Sequence, residues 1–140
     1  MAQTDWVFSI ESKIYTIIKT RLEKALKTTY PNLLVTQQQK MNDNTSIPTV
    51  FIKMLDSPEV GQDLDNATIN AMLVYFETHI TVTKDMGLTG LRKISESVLG
   101  NFKALRFNIG YRGTVRETSD TYTLVSRFNR VIGADEEINF

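Results

Sequence analysis

The chain has 140 residues, with sixteen Lys and Arg balancing sixteen Asp and Glu, one His and no Cys. A net charge of zero argues against a protein devoted to coating phosphates, because that affinity comes from excess cations. The missing thiols exclude disulfide frameworks, thiolate metal sites and a Cys nucleophile, and a lone His79 leaves a His-rich zinc site almost nothing to use.

At this length a chain buries roughly 68–70% of the surface that its unfolded form exposes, so a single core over 1–140 needs no covalent or metal staple. Asp5 and Glu11 near the start, and the lack of a membrane-length apolar run, lead us to expect a protein assembled in the cytoplasm with no membrane partner.

Along the chain, Trp6, Ile10, Ile14, Ile17, Ile18, Leu22, Ala25 and Leu26 recur at three- and four-residue steps with Lys and Glu between them. This spacing predicts an amphipathic helix over about 6–29, with Asp5 as its N-cap and Pro31 blocking continuation. Residues 34–41 carry no helical stripe and read as a solvent-facing strand. Val50, Ile52 and Met54 alternate with Thr49, Phe51 and Lys53, predicting a strand at 47–55 with Pro48 at its start.

Pro58, Gly61 and four acids make 56–68 read as a long loop. From Ile69 to Lys84 runs the clearest alternation, with Met72, Val74, Phe76, Ile80 and Val82 on one parity and Leu73, Tyr75, Glu77 and His79 on the other. Gly-Leu-Thr-Gly at 87–90 lacks the Gly-Lys-Ser/Thr ending of a phosphate loop and reads as a strand-to-helix turn. Leu91, Ile94, Val98, Leu99, Phe102 and Leu105 then predict a second helix over 88–105. Two strands, 108–116 and 121–132, follow around a polar connection at 117–120.

The expected order is α-β-β-β-α-β-β. Helices with one apolar face each must cover a sheet, so the class is α+β, two layers, with a mostly antiparallel or mixed sheet under two helices. The long third strand and the last hairpin are expected to reach past the helices. The acidic stretch 134–140 reads as a tail that moves freely or is held by a partner.

Candidate chemistry is sparse. Glu77 and His79 share a strand face at i, i+2 and have the makings of a base and its orienter, but no nucleophile is grouped with them, so a structural polar role is the stronger reading. Asp63, Asp65 and Asn66 lack the spacing and terminal Glu of a calcium loop. No enzyme, cofactor or metal is expected.

The charges, however, are segregated. Between Lys53 and Lys84 there is no cation, while Asp56, Glu59, Asp63, Asp65 and Glu77 are all negative. From 101 to 132 the sign reverses, with Lys103, Arg106, Arg112, Arg116, Arg127 and Arg130 against only Glu117 and Asp120. Three readings compete. Charged residues blunt the edges of a sheet. Alternatively, the hairpin binds nucleic acid, with Tyr111, Tyr122 and Phe128 stacking on bases. In the third, the acidic loop of one copy meets the Arg-rich hairpin of the next around a ring, and a neutral chain with opposed patches suits this best. The contact residues are then Asp56, Glu59, Asp63, Asp65, Arg112, Arg116, Arg127 and Arg130.

The segment Ile47-Pro48-Thr49-Val50-Phe51-Ile52, then Gly61-Gln62-Asp63-Leu64 and the long strand from Ile69, resembles bacteriophage tail terminator proteins, also called tail-completion or tail-to-head joining proteins. Arg127-Phe128-Asn129-Arg130-Val131-Ile132-Gly133 followed by acids is similar too, and the likeness covers nearly the whole length. The resemblance implies a homo-hexameric ring at the head-proximal end of the virion tail, and since six weak contacts add up, an isolated subunit can remain monomeric at low concentration. Such a ring stops growth of the tail tube protein, presents a surface to the head-completion or neck protein, and lets DNA pass through its lumen without reading sequence. A neck or head-completion adaptor, or a nucleic-acid module on the Arg-rich hairpin, are the alternatives.

Overall fold

The computed structural model describes residues 5–37, 48–55, 59–62 and 69–133. Helix α1 spans Asp5–Leu26 and helix α2 spans Gly87–Ala104. Seven strands form one sheet: β1 Leu34–Thr36, β2 Thr49–Met54, β3 Glu59–Gln62, β4 Ile69–Thr83, β5 Asn108–Tyr111, β6 Val115–Glu117 and β7 Thr121–Gly133. The spatial order is β1-β2-β4-β7-β5, with β3 beside β4 and β6 beside β7. β1 runs parallel to β2 and every other pairing is antiparallel. The α+β class, the mixed sheet and the order of helices and strands are as the sequence predicts.

The differences are local. α1 starts at Asp5, so Asp5 is a helical residue and not the cap, and it ends at Leu26 before a turn whose Tyr30 N–H donates to the Leu26 carbonyl. Ala25, counted in the apolar stripe, faces solvent. Of the strand expected at 34–41, Leu34–Thr36 is strand, Gln37 is not, and 38–41 lie outside the described residues; Val35 points into the core and not to solvent. The loop expected at 56–68 contains β3, which pairs with the start of β4, while 56–58 and 63–68 lie outside the described residues. Gly-Leu-Thr-Gly forms the first turn of α2 and not the link before it; Gly87 itself takes φ +68°.

The strand expected at 108–116 is split into β5 and β6 around Gly113, which has φ +70° and lies so close to β7 that a Cβ there would sit 2.1 Å from the Val125 carbonyl oxygen. The connection at 117–120 is a turn, as predicted: the Thr118 N–H donates to the Thr121 carbonyl at 2.9 Å, and the Thr121 N–H donates to Thr118 Oγ1 at 3.0 Å. The tail at 134–140 lies outside the described residues.

Strand alternation places the core. The even residues of β4 (Val74, Phe76, Thr78, Ile80, Val82) and of β7 (Phe128, Ile132) face the helices and are buried. Against them α1 sets Ile10, Ile14, Ile17, Ile18, Leu22 and Leu26, and α2 sets Leu91, Ile94, Val98 and Phe102. The aromatic centre is Phe102, stacked on Phe128 with centroids 4.2 Å apart and edge-on to Phe107 at 5.3 Å. Truncating a ring so enclosed to Ala costs about 3–5 kcal/mol in comparable cores. Tyr15 ties α1 to the sheet edge by donating its hydroxyl to the Val35 carbonyl at 3.2 Å; burial, then the nearby Glu23 carboxylate, raises its pKa.

α2 ends in a left-handed cap. The Phe107 N–H donates to the Phe102 carbonyl and the Arg106 N–H to the Lys103 carbonyl, and Arg106 has φ +65°. This is the position where Gly is favoured, because a Cβ there costs about 1–2 kcal/mol. Inside the core, Thr78 is fully buried and its Oγ1 has no hydrogen-bond partner. Two substitutions should therefore stabilise the fold: Arg106→Gly by relieving the left-handed strain and Thr78→Val by removing an unsatisfied hydroxyl without changing shape. Chemical denaturation should show each raising unfolding free energy by about 0.5–1 kcal/mol, and a loss in either would refute its stated cause.

Candidate functional site

The outer face of the sheet, away from the helices, carries the odd residues of β4 and β7. Register puts Lys53 opposite Glu77 and Glu77 opposite Arg127, so one carboxylate lies between two cations from neighbouring strands. His79, two residues along β4, points to the same face. Glu77 Oε1 lies 2.6 Å from His79 Nε2 and 3.7 Å from Lys53 Nζ. Its Oε2 accepts a hydrogen bond from Arg127 Nε at 2.7 Å. The Arg127 guanidinium also lies over the Tyr111 ring, and Phe51 meets the His79 ring edge-on at 5.4 Å.

Glu77 is only 6% exposed, an unusual depth for a carboxylate on a sheet's outer face. Burial is the largest influence on its pKa and pushes it up, but the hydrogen bonds from His79 and Arg127 and their charges together outweigh it. The carboxyl is therefore held below its ordinary value and stays ionised. Chemically, the cluster is a buried anion under a cationic rim, a rigid strut that locks β2, β4 and β7 in register.

The predicted contact residues separate once placed. Arg116, opposite Thr123, and Arg127 lie on the outer face, while Arg130 turns to the helix side and donates to the Leu105 carbonyl at 2.8 Å. Burial, then the neighbouring Arg106 charge, lowers the Arg130 pKa, consistent with a guanidinium set into the protein at the C-terminal end of α2. Arg112 is exposed in the link between β5 and β6, where it borders a groove against α2. Glu59 opens β3, at the end of the sheet where β4 begins. Asp56, Asp63 and Asp65 lie outside the described residues.

Of the aromatics considered for base stacking, Phe128 is fully buried against Phe102 and has no face to offer, which removes it from any nucleic-acid surface. Tyr111 lies under Arg127 and the Tyr122 ring under Lys84, which is also paired with Glu117. Sequence spacing could pair Glu77 with His79; Lys53 and Arg127 join them only through cross-strand register, which no local pattern encodes.

No protein-family model matches the chain, and no curated protein matches its sequence.

The Glu77 cluster sets a pH dependence. A carboxyl whose folded-state pKa is depressed contributes stability that is complete above its ordinary value of 4.5 and is lost as pH falls through the folded-state value. Denaturation curves collected from about pH 6 to pH 3 should fall more steeply for the wild type than for Glu77→Gln, which should start about 1–3 kcal/mol lower. Curves that stay parallel down to the acid end would remove Glu77 from this role.

Proposed function

We propose that this protein is a ring-forming structural subunit of a bacteriophage tail, which caps the finished tube and offers the head its attachment surface. The observation that carries this reading is the likeness to tail terminator proteins along Ile47-Pro48-Thr49-Val50-Phe51-Ile52, Gly61-Gln62-Asp63-Leu64 and the closing Arg127–Gly133 strand. Support comes from the architecture. Both helices pack on one face of the sheet, and among the described residues Val131, 53% exposed, and Tyr111, 48% exposed, lie on the other. A two-layer subunit with exposed apolar residues on the sheet face away from its helices and charges segregated along its sequence is suited to repeated contact with copies of itself.

Function on this reading is geometry. The open end of a growing tube repeats one surface; a ring whose lower face matches it and whose upper face differs binds once and leaves no site for the next tube ring. Six individually weak contacts act together, so the subunit can be monomeric in dilute solution and still hold fast to a tube end.

Mixing the purified protein with tubes of the tail tube protein should arrest elongation and leave a ring at one end of each tube in electron micrographs. Tubes that keep growing, with bare ends and the added protein still monomeric, would overturn the proposal.

A further inference from the structure

The strongest unassigned feature is a groove of about 240 Å³ between the middle of α2, from Arg92 to Leu99, and the link joining β5 to β6. Arg92 from α2 and Arg112 from the link border it, and both are exposed. Leu99 and Leu124 supply half-buried apolar walls, and Ser126, whose hydroxyl donates to the Arg112 carbonyl at 3.3 Å, closes the base. Glu96 also lines the groove, so two cations and one anion leave it net positive. The matching ligand is a short acidic segment followed by apolar side chains, since carboxylates pair with Arg in a planar fork.

The chain itself carries such a segment: Asp135-Glu136-Glu137-Ile138-Asn139-Phe140. It cannot serve its own groove with all three acids. β7 extends from the groove at Ser126 to Gly133, seven residues or about 23 Å at the usual strand rise. Glu137 is four residues past Gly133, a reach of at most about 14 Å even if the chain doubles straight back. The backbone of Glu137 therefore stops about 9 Å short of Ser126 and that of Asp135, two residues past Gly133, about 16 Å, a gap that an Asp and an Arg side chain together do not close. The tail of another molecule has no such restriction.

The geometry points to an interface in which residues 135–140 of one copy lie in the α2/β5–β6 groove of a second copy, with Arg92 and Arg112 on the acids and Leu99 and Leu124 against Ile138 and Phe140. The contact is head-to-tail, so it repeats from copy to copy and closes a ring if the rotation permits. It rests on the ring reading only in requiring a second molecule, and it does not depend on a tail tube.

The test uses the full chain carrying Asp135→Lys, Glu136→Lys and Glu137→Lys, so that its own tails do not compete, and a fluorescein-labelled peptide of residues 134–140. Fluorescence anisotropy should show the peptide binding, with affinity falling about tenfold or more on adding Arg92→Glu or Arg112→Glu, and falling as salt rises. Both arginines are exposed, and circular dichroism should show each variant folded. In sedimentation, the tail-reversed chain and an Arg92→Glu, Arg112→Glu chain should each fail to self-associate, whereas one chain carrying both sets of reversals should associate again through tail and groove of opposite reversed charge.

Absence of peptide binding, or equal binding by the Arg92→Glu and Arg112→Glu variants, overturns the proposal whatever the assembly state. Peptide binding with tubes left uncapped would keep the groove contact and refute the tail-terminator reading alone.

Discussion

The pairing of β4 with β7 is the constraint on which the rest of the structure depends. It runs in unbroken register from Ala71 opposite Gly133 to Thr83 opposite Thr121. The two strands are far apart in sequence, with α2, β5 and β6 between them, so their alignment fixes the position of everything they enclose. Parity then divides the molecule. Even residues form the floor on which both helices rest, and odd residues form the outer face. A slip of one residue would drive Glu77 and Arg127 into the Phe76, Phe102 and Phe128 cluster and expose the core.

Glu77 adds a second constraint on that register, because a slip would separate it from Arg127 and Lys53. Apolar side chains tolerate small displacements, whereas a carboxylate only 6% exposed, hydrogen-bonded to His79 and Arg127, does not. Such a group is costly unless every partner is in place, which makes it a poor source of net stability and a good arbiter between alignments. The same arrangement changes the meaning of the charge pattern. Arg127 is engaged within the same molecule by Glu77, so part of the cancellation between the acidic middle and the Arg-rich end takes place inside one molecule. Arg92, Arg112 and Arg116 are exposed.

What the sequence made legible follows from the range of the forces involved. α1, α2, β4 and β7 are long enough for periodicity to dominate, and their faces were readable from Ile14 to Leu26 and from Val74 to Val82. β3 was not, because Gly61 and the acids around it carry loop chemistry, and its strand conformation comes from pairing with β4, a tertiary cause. The division of β5 from β6 turns on Gly113 lying against the Val125 carbonyl, which an isolated Gly in an alternating run does not announce. Arg106 gave no sign of a left-handed cap because the residue type opposes it; the hydrogen bonds to Phe102 and Lys103 override the preference. Of the Glu77 cluster, the i, i+2 pair with His79 was visible, and the two cross-strand cations were not.

On the proposed reading, these features bear on how a neutral, modest-sized chain would assemble with direction. A two-fold contact pairs a patch with itself, and like charges on a single-sign patch would then oppose each other. Opposite charges placed at different ends of one rigid body favour a head-to-tail contact, in which each copy gives one sign and receives the other. β7 passes the Arg-bordered groove at Leu124 and Ser126 and ends at Gly133, two residues before the first acid in sequence, so on this proposal the strand's own length would keep donor and acceptor apart. Shortening that separation would let the tail satisfy its own groove and leave nothing for a neighbour. The long strand that organises the core is thus also the spacer that would turn an internal charge cancellation into an intermolecular one.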